Sequence, residues 1–375
     1  MKEVKHWFED SVFIKPLSPG CKMCAEGSKL VVLVTGLCPA SCYYCPLSLK
    51  KSGKDRIFAD EWELENEKDT DKLIKEAEYI EAKGAGITGG DPLSVWKRTR
   101  NFIKFLKEEF GDSFHIHLYT SGIINGDRVE DLVSAGLDEI RFHPIPTLWD
   151  KMEKNPIATY IKDAVKTGID VAIEIPSIPD MNNQIIELIH WANCNDLKWV
   201  NLNELEFSEK NAENLMKRNL DVKDDISAAV SGSQDTAYKV IEQIASEDLA
   251  IGAHYCSSSF KDRIQLRNRI LRRAENIAKQ HDVITEEGML LKGIVLHKEM
   301  PLSKIYSFIK DEFKIDSKYI FIDKEKNRVE VAPWILEKIS KELNIKGFKV
   351  YLIEEYPTAD QLEVERIPLP LDTVN

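Results

Sequence analysis

Cys38, Cys42 and Cys45 stand in the stretch Thr35-Gly36-Leu37-Cys38-Pro39-Ala40-Ser41-Cys42-Tyr43-Tyr44-Cys45-Pro46, directly after the apolar run Leu30 to Val34. Three thiolates in so short a loop suit an iron-sulfur cluster, whereas a closed structural zinc site needs a fourth ligand. A [4Fe-4S] cube held by three cysteines leaves one iron open to a substrate or a second cofactor, which is what a catalytic metal site requires. A zinc knuckle, or three unrelated thiols, is the plainer alternative.

Two further pairs of potential ligands lie far from this loop. Pro19-Gly20-Cys21-Lys22-Met23-Cys24 carries a CxxC, expected at a tight turn, and His254-Tyr255-Cys256 puts a histidine and a cysteine on one face of an extended segment. Joined, Cys21, Cys24, His254 and Cys256 make a complete set for a tetrahedral zinc or for an auxiliary iron-sulfur cluster with one weaker ligand. Without His254, three cysteines would again leave an iron open, and a substrate could bind it directly. Unjoined, Cys21 and Cys24 are a lone pair and Cys256 a core thiol. Cys194, in Asn193-Cys194-Asn195, has no metal-like neighbour and reads as structural.

These residues need a scaffold, and the chain is long enough to supply one. Its 375 residues are 43% apolar, sufficient for one large domain and a small one. The first twenty residues have no continuous hydrophobic segment and read as neither signal peptide nor anchor. No run reaches the roughly 18 apolar residues of a membrane span. The seven cysteines fall in metal-binding rather than disulfide spacings, which points to a reducing cytoplasm. A net charge of −12 argues against a uniformly basic nucleic-acid surface.

From residue 30 to about 255, short β-branched runs alternate with helical patterns, the signature of βα units on a parallel sheet. Strands are expected at Leu30 to Thr35, Gly86 to Thr88, Ile116 to Thr120, Glu139 to Phe142, Val171 to Ile175, Trp199 to Asn203 and Ala250 to His254. Six or seven units fit an α/β fold with a partial or full TIM-like barrel, whose chemistry sits at the C-terminal ends of the strands. An open doubly wound sheet is the alternative, but no GxGxxG turn follows the first strand. Residues 1–29 then form an N-terminal segment and 30–288 the barrel domain. Phe260 to Gln280 reads as one long helix. Beyond it the order βαββαβ predicts a small ferredoxin-like α+β domain over 289–375, suited to recognising a substrate or partner.

Gly86-Ile87-Thr88-Gly89-Gly90-Asp91-Pro92-Leu93 ends the second predicted strand. Adjacent glycines let a ligand approach the backbone, and the proline stiffens the turn. Alternation in Asn201-Leu202-Asn203-Glu204-Leu205-Glu206 sends Asn201 and Asn203 to one side, and polar residues inside a barrel strand are costly unless used.

The spacing of Cys38, Cys42 and Cys45, with Tyr44 before the third cysteine, resembles the radical S-adenosylmethionine (SAM) superfamily. Together with Gly20-Cys21-x-x-Cys24, ITGGDPL and HYCSSSFKD, it is similar to an uncharacterised group related to pyruvate formate-lyase activating enzymes, over roughly residues 19 to 290. The resemblance implies a [4Fe-4S] cluster on Cys38, Cys42 and Cys45 that cleaves SAM to a 5'-deoxyadenosyl radical, with a ferredoxin or flavodoxin as electron donor. It also implies that the backbone at Gly89, Gly90, Asp91 and Pro92 holds the SAM amino group, and that Tyr44 lies near the adenine. On the barrel rim Ser121 and Glu174 are candidates for the SAM carboxylate or ribose hydroxyls, Arg141 for a cation facing a carboxylate, and His143 for a proton donor.

The substrate is less legible. Lys261, Arg263, Arg267, Arg269, Arg272 and Arg273 give the segment after Cys256 a basic excess that would grip a phosphate backbone, unless acidic neighbours within the chain use it up. The C-terminal domain lacks the aromatic pattern of an RNA recognition motif. An appended domain of this size favours a macromolecule, RNA or protein, over a metabolite. Activation of a glycyl-radical enzyme is the second reading, because activases need no second metal site. A non-catalytic iron-sulfur or zinc scaffold is the third.

Overall fold

The computed structural model describes residues 2–370. The chain divides into two compact units, one running to Glu78 and resuming over Ala82–Leu266, the other comprising Tyr79–Glu81 and the chain from Arg267 onward.

The first unit is built on one sheet. Its strands in chain order are β1 (Lys5–His6), β2 (Val12–Ile14), β3 (Lys29–Leu33), β4 (Ile57–Ala59), β5 (Trp62–Leu64), β6 (Gly84–Thr88), β7 (His115–Thr120), β8 (Glu139–Phe142), β9 (Asp170–Ser177), β10 (Trp199–Glu204) and β11 (Gly252–Cys256). They lie in the order β1-β2-β11-β10-β9-β8-β7-β6-β3-β4-β5, and all pairings from β3 through β6 to β11 are parallel. Every parallel strand lies beside its sequence neighbour in the series, as in a barrel, and the order never reverses as it does in a doubly wound sheet. The hairpins β1–β2 and β4–β5 pair antiparallel at the two edges, so the barrel is partial.

Alternation along these strands is unusually clean. Ile116 and Leu118 of β7, Ile140 and Phe142 of β8, Ile173 and Ile175 of β9, and Val200 and Leu202 of β10 are all buried. The residues between them are His117, Tyr119, Glu139, Arg141, Glu174, Asn201 and Asn203. Apolar side chains thus take one face and polar ones the other, and the polar face must satisfy itself internally or serve a ligand.

Helix Pro19–Glu26 lies against that polar face. Ser18 caps it by accepting from the Gly20 amide at 3.0 Å, Pro19 opens it, and Gly27 closes it with φ 71°. A Cβ on Gly20 would stand 2.6 Å from Nη2 of Arg141 and 2.9 Å from Cε1 of His117, so glycine alone allows this approach. The CxxC therefore sits in a helix rather than at a tight turn, a difference that Ser18-Pro19 signals as an N-terminus.

Two other expectations change. The predicted single helix over Phe260 to Gln280 is broken into Ser258–Phe260, a π-helical stretch Lys261–Leu266 and a helix Arg267–Ile277, and the unit boundary falls at 266/267. The strand expected at Ala250 to His254 is shifted to Gly252–Cys256.

The second unit adds β12 (Val283–Ile284), β13 (Leu290–Leu296), β14 (Ile320–Asp323), β15 (Arg328–Val331), β16 (Lys349–Glu355) and β17 (Glu363–Pro368). The order β14-β15-β13-β16, all antiparallel, with helices Leu302–Glu312 and Pro333–Ile345 as the crossovers, is the ferredoxin-like arrangement. β17 extends it at one edge. Ile305, Ile309, Val329, Val331, Leu336, Leu343 and Val350 form its core.

Candidate active site

A cavity of about 820 Å³ opens on the polar face of the first unit, at the upper end of the range for small-molecule sites. Its walls include Cys38, Cys42 and Cys45, together with Cys21, Cys24, His254 and Cys256, and Tyr44, Gly89, Gly90, Ser121, Arg141, His143 and Glu174. Every sequence-predicted site residue except Asp91 and Pro92 is thus on one surface. Cys194 is exposed at the end of helix Asn182–Cys194, away from this set.

The cysteine loop is fixed by backbone contacts to the turn after β6. The amide of Gly90 donates to Thr35 O at 2.7 Å and that of Asp91 to Leu37 O at 2.7 Å. A Cβ on Gly89 would lie 2.4 Å from Thr35 O, and one on Gly90 would lie 2.2 Å from Leu37 O. The glycine pair is therefore demanded by the cysteine loop leaning on it, not in the first place by a ligand's approach. Asp91 is fully buried and faces inward. Its carboxylate accepts from Leu93 N at 3.0 Å, Thr120 Oγ1 at 2.8 Å and Ser121 N at 3.0 Å, and also from Ser121 Oγ. With its hydroxyl proton committed to Asp91, Ser121 offers only lone pairs to the cavity, which suits a ribose hydroxyl or an ammonium and not a carboxylate.

Tyr44 is 4% exposed and donates its hydroxyl to Nε2 of His143 at 2.9 Å, while Nδ1 of His143 donates to Glu174 O at 2.7 Å. Burial lowers the His143 pKa and keeps the ring neutral, so the only proton it carries is bound to a carbonyl. His143 here is a hydrogen-bond acceptor for Tyr44, not the proton donor expected from its strand-end position.

Arg141 departs further from expectation. All three of its donor nitrogens are used within the chain: Nε on Glu139 at 2.5 Å, Nη1 on Glu174 at 2.6 Å and Nη2 on Ser18 at 2.7 Å. A guanidinium so occupied is a strut of the barrel interior and not a free grip for a carboxylate. Glu174 also accepts from Asn201 and Asn203, each at 3.0 Å, which places both asparagines on the polar side as their alternation predicts. Burial opposes its charge, but Arg141 and the two amides prevail and hold its pKa at about 2.

Several contributors carried no sequence signal beyond lying after a strand end. Lys210 places Nζ 3.3 Å from Cys45 Sγ, Asn211 donates to Tyr44 O at 2.9 Å, and Arg218 lies 3.9 Å over the ring of Tyr43. The basic excess after Cys256 is largely spent inside the chain: Lys261 pairs with Glu206, Arg263 with Glu9, Arg272 with Glu81, and Arg273 donates to Pro357 O.

Among the described residues, the sets of three or more potential ligands with donor atoms within 4.8 Å of one another are His115/His117/Glu139 and His281/Asp282/Glu330. Glu139 of the first is already bonded to Ser18, Arg141 and Trp199. Neither cysteine set is among these closely spaced groups. Loading a metal on these thiols must displace their protons.

Residues 32–192 match the family model of the radical SAM superfamily. Over 98% of its length the chain is 42% identical to 96% of a Methanocaldococcus jannaschii protein provisionally named a glycyl-radical enzyme activating enzyme. The chain belongs to the radical SAM superfamily. It is a radical SAM enzyme, and a [4Fe-4S] cluster and SAM are the cofactors of that superfamily. A further relative is the GTP 3',8-cyclase of Clostridium perfringens, 26% identical over 45% of this radical SAM enzyme and 52% of that one. The crystal structure of Streptococcus suis SuiB bound to S-adenosylmethionine is 14% identical, with a TM-score of 0.43 over 63% of this chain and 53% of that one, too slight a likeness to argue from. Residues 288–369, in the ferredoxin-like unit, match a domain of unknown function, DUF8061. Among the described residues, no helix is long and apolar enough to cross a membrane.

Proposed function

We propose that Cys38, Cys42 and Cys45 hold a [4Fe-4S] cluster, that SAM binds beside it in the 820 Å³ cavity, and that a protein is the substrate whose hydrogen is abstracted. The observation that carries this reading is the cysteine loop pinned to the Gly89-Gly90 turn on the wall of a cavity of small-molecule size. When bound and reduced by a donor such as ferredoxin or flavodoxin, the cluster supplies the electron that splits SAM into methionine and a 5'-deoxyadenosyl radical.

The chain's own residues bind, orient and insulate. Gly90 and Asp91 hold the loop through their amides, and Asn211 holds the Tyr44 carbonyl. Lys210 places its ammonium 3.3 Å from the Cys45 sulfur. Ser121 presents lone pairs to a ribose hydroxyl or to the SAM ammonium. Tyr44 presents its ring to the cavity while its hydroxyl is tied to His143. The Glu139–Arg141–Glu174 ion pairs hold Arg141 and Glu174 in place on the cavity wall, so cofactor binding meets a preorganised surface.

A protein substrate is preferred to RNA because most of the basic residues that suggested RNA, Lys261, Arg263, Arg272 and Arg273, are paired within the chain, and because the 42% identical relative is named for activating another enzyme. Glycyl-radical activation is one form of that reaction. The test is isotopic. Reduced, reconstituted enzyme is given SAM and a uniformly deuterated soluble extract of the source cells, split into protease-treated and nuclease-treated halves. Deuterium in 5'-deoxyadenosine that survives nuclease and is lost with protease supports the reading. Loss with nuclease alone contradicts it.

A further inference from the structure

The remaining ligand-type residues converge on the cavity from two elements far apart in sequence. Helix Pro19–Glu26 carries Cys21 and Cys24, three residues apart and so on one helix face. Strand β11 carries His254 and Cys256, two apart and so on one strand face. All four line the cavity.

One of the sulfurs has a donor aimed at it. Gln265 Nε2 donates to Cys256 Sγ at 3.4 Å. Hydrogen bonds of this kind stabilise cluster thiolates and set their potential. His254 supplies an independent sign of a ligand. It is 2% exposed, and neither of its ring nitrogens has a hydrogen-bond partner. A buried imidazole orphaned at both nitrogens is costly, and coordination of one nitrogen removes half of that cost.

We propose that Cys21, Cys24 and Cys256, with His254 as the fourth donor, hold a second iron-sulfur cluster on the wall of the SAM cavity. A tetrahedral zinc with Zn–S bonds of about 2.3 Å brings its sulfurs to within about 4 Å of one another. Among the described residues the sets of three or more donors within 4.8 Å of one another do not include these four, a wider spacing than the about 4 Å that a tetrahedral zinc imposes. The helix is what makes the arrangement rigid: its cap Ser18 is bonded to Glu139 at 2.9 Å and to Arg141 at 2.7 Å, which fixes Cys21 and Cys24 relative to the strands.

The proposal goes beyond the reading of Cys38, Cys42 and Cys45 and fails separately from it. The full chain is reconstituted anaerobically with iron and sulfide, iron and zinc are counted, and the reduced protein is examined by electron paramagnetic resonance with and without SAM. Wild type should hold about eight irons per chain, four for each [4Fe-4S] unit. The combined Cys38→Ala, Cys42→Ala and Cys45→Ala variant should retain about half of that iron and a cluster signal that SAM does not perturb. Combined Cys21→Ala, Cys24→Ala and Cys256→Ala should also retain about half, with a signal that SAM does perturb. Should that variant not fold by circular dichroism, Cys24→Ser alone replaces it with the same expectation. His254→Ala should keep the iron and shift the SAM-insensitive signal. Wild type with about four irons, one zinc per chain at this site, or loss of all iron with Cys38, Cys42 and Cys45 would each overturn the proposal. Full SAM cleavage by the chain lacking those three would instead sink only the earlier reading.

Discussion

Tyr44 of the cysteine loop and His143 at the end of β8 are joined by a 2.9 Å hydrogen bond in which the phenol donates and the imidazole Nε2 accepts. The other ring nitrogen is bound to Glu174 O, so the tautomer is fixed and the loop is tied through the ring to β9. Tyr44→Phe removes the donor and leaves Nε2 of the half-buried His143 ring without this partner. Chemical denaturation should show a loss of about 0.5–1.5 kcal/mol, with iron content unchanged. Unchanged stability would mean that the bond does not form in solution.

Gly90→Ala tests whether the turn after β6 supports the cysteine loop. The new methyl carbon would sit 2.2 Å from Leu37 O, so the loop must move. Far-ultraviolet circular dichroism should be preserved, while reconstituted iron at Cys38, Cys42 and Cys45 falls several-fold. Normal iron with weakened SAM affinity alone would restore the glycine pair to a purely ligand-facing role.

Arg141 separates a strut from a ligand grip. With Glu139, Glu174 and Ser18 all bound to it, Arg141→Met leaves the buried Glu139 and the half-buried Glu174 carboxylates without their cation and should cost about 3–5 kcal/mol. A variant of wild-type stability whose affinity for SAM alone is lowered would show the guanidinium to be a carboxylate grip after all.

Glu174 gives the barrel interior an acid dependence. Its folded pKa of about 2 lies below the unfolded value of about 4.3, so its contribution is present above about pH 4.3 and is lost as pH falls toward about 2. The shift corresponds to about 3 kcal/mol. Glu174→Gln should therefore be less stable than wild type at pH 7, with the gap narrowing as pH falls below about 4. Urea midpoints across this range measure it, and a gap independent of pH would contradict the assignment.

The seven parallel strands were legible because β-branched runs recur at βα spacing, and the polar interior because alternation in Asn201-Leu202-Asn203 and Glu139-Ile140-Arg141 shows which side chains share a face. What the residues on that face do to one another was not legible. Arg141 reads as a free cation until Glu139, two positions earlier, and Glu174, on the next strand, are seen to take it. The edge strands β1 and β2 are two and three residues long, too short for a period to show. The helix Ser233–Ser246 escaped notice although Gly232 precedes it and its buried residues follow helical spacing. The break after Phe260 has no Gly or Pro to announce it, and the π-helical stretch there begins at Lys261, which pairs with Glu206 far away in sequence.

The most direct test of the account is SAM cleavage by the anaerobically reconstituted, reduced chain and by Cys42→Ala, with 5'-deoxyadenosine and iron quantified together. Wild type is predicted to form 5'-deoxyadenosine. The variant should form none and should hold about four irons fewer, the complement of one [4Fe-4S] cluster. Equal iron and equal 5'-deoxyadenosine in the two proteins would contradict the claim that Cys38, Cys42 and Cys45 hold the cluster that opens SAM.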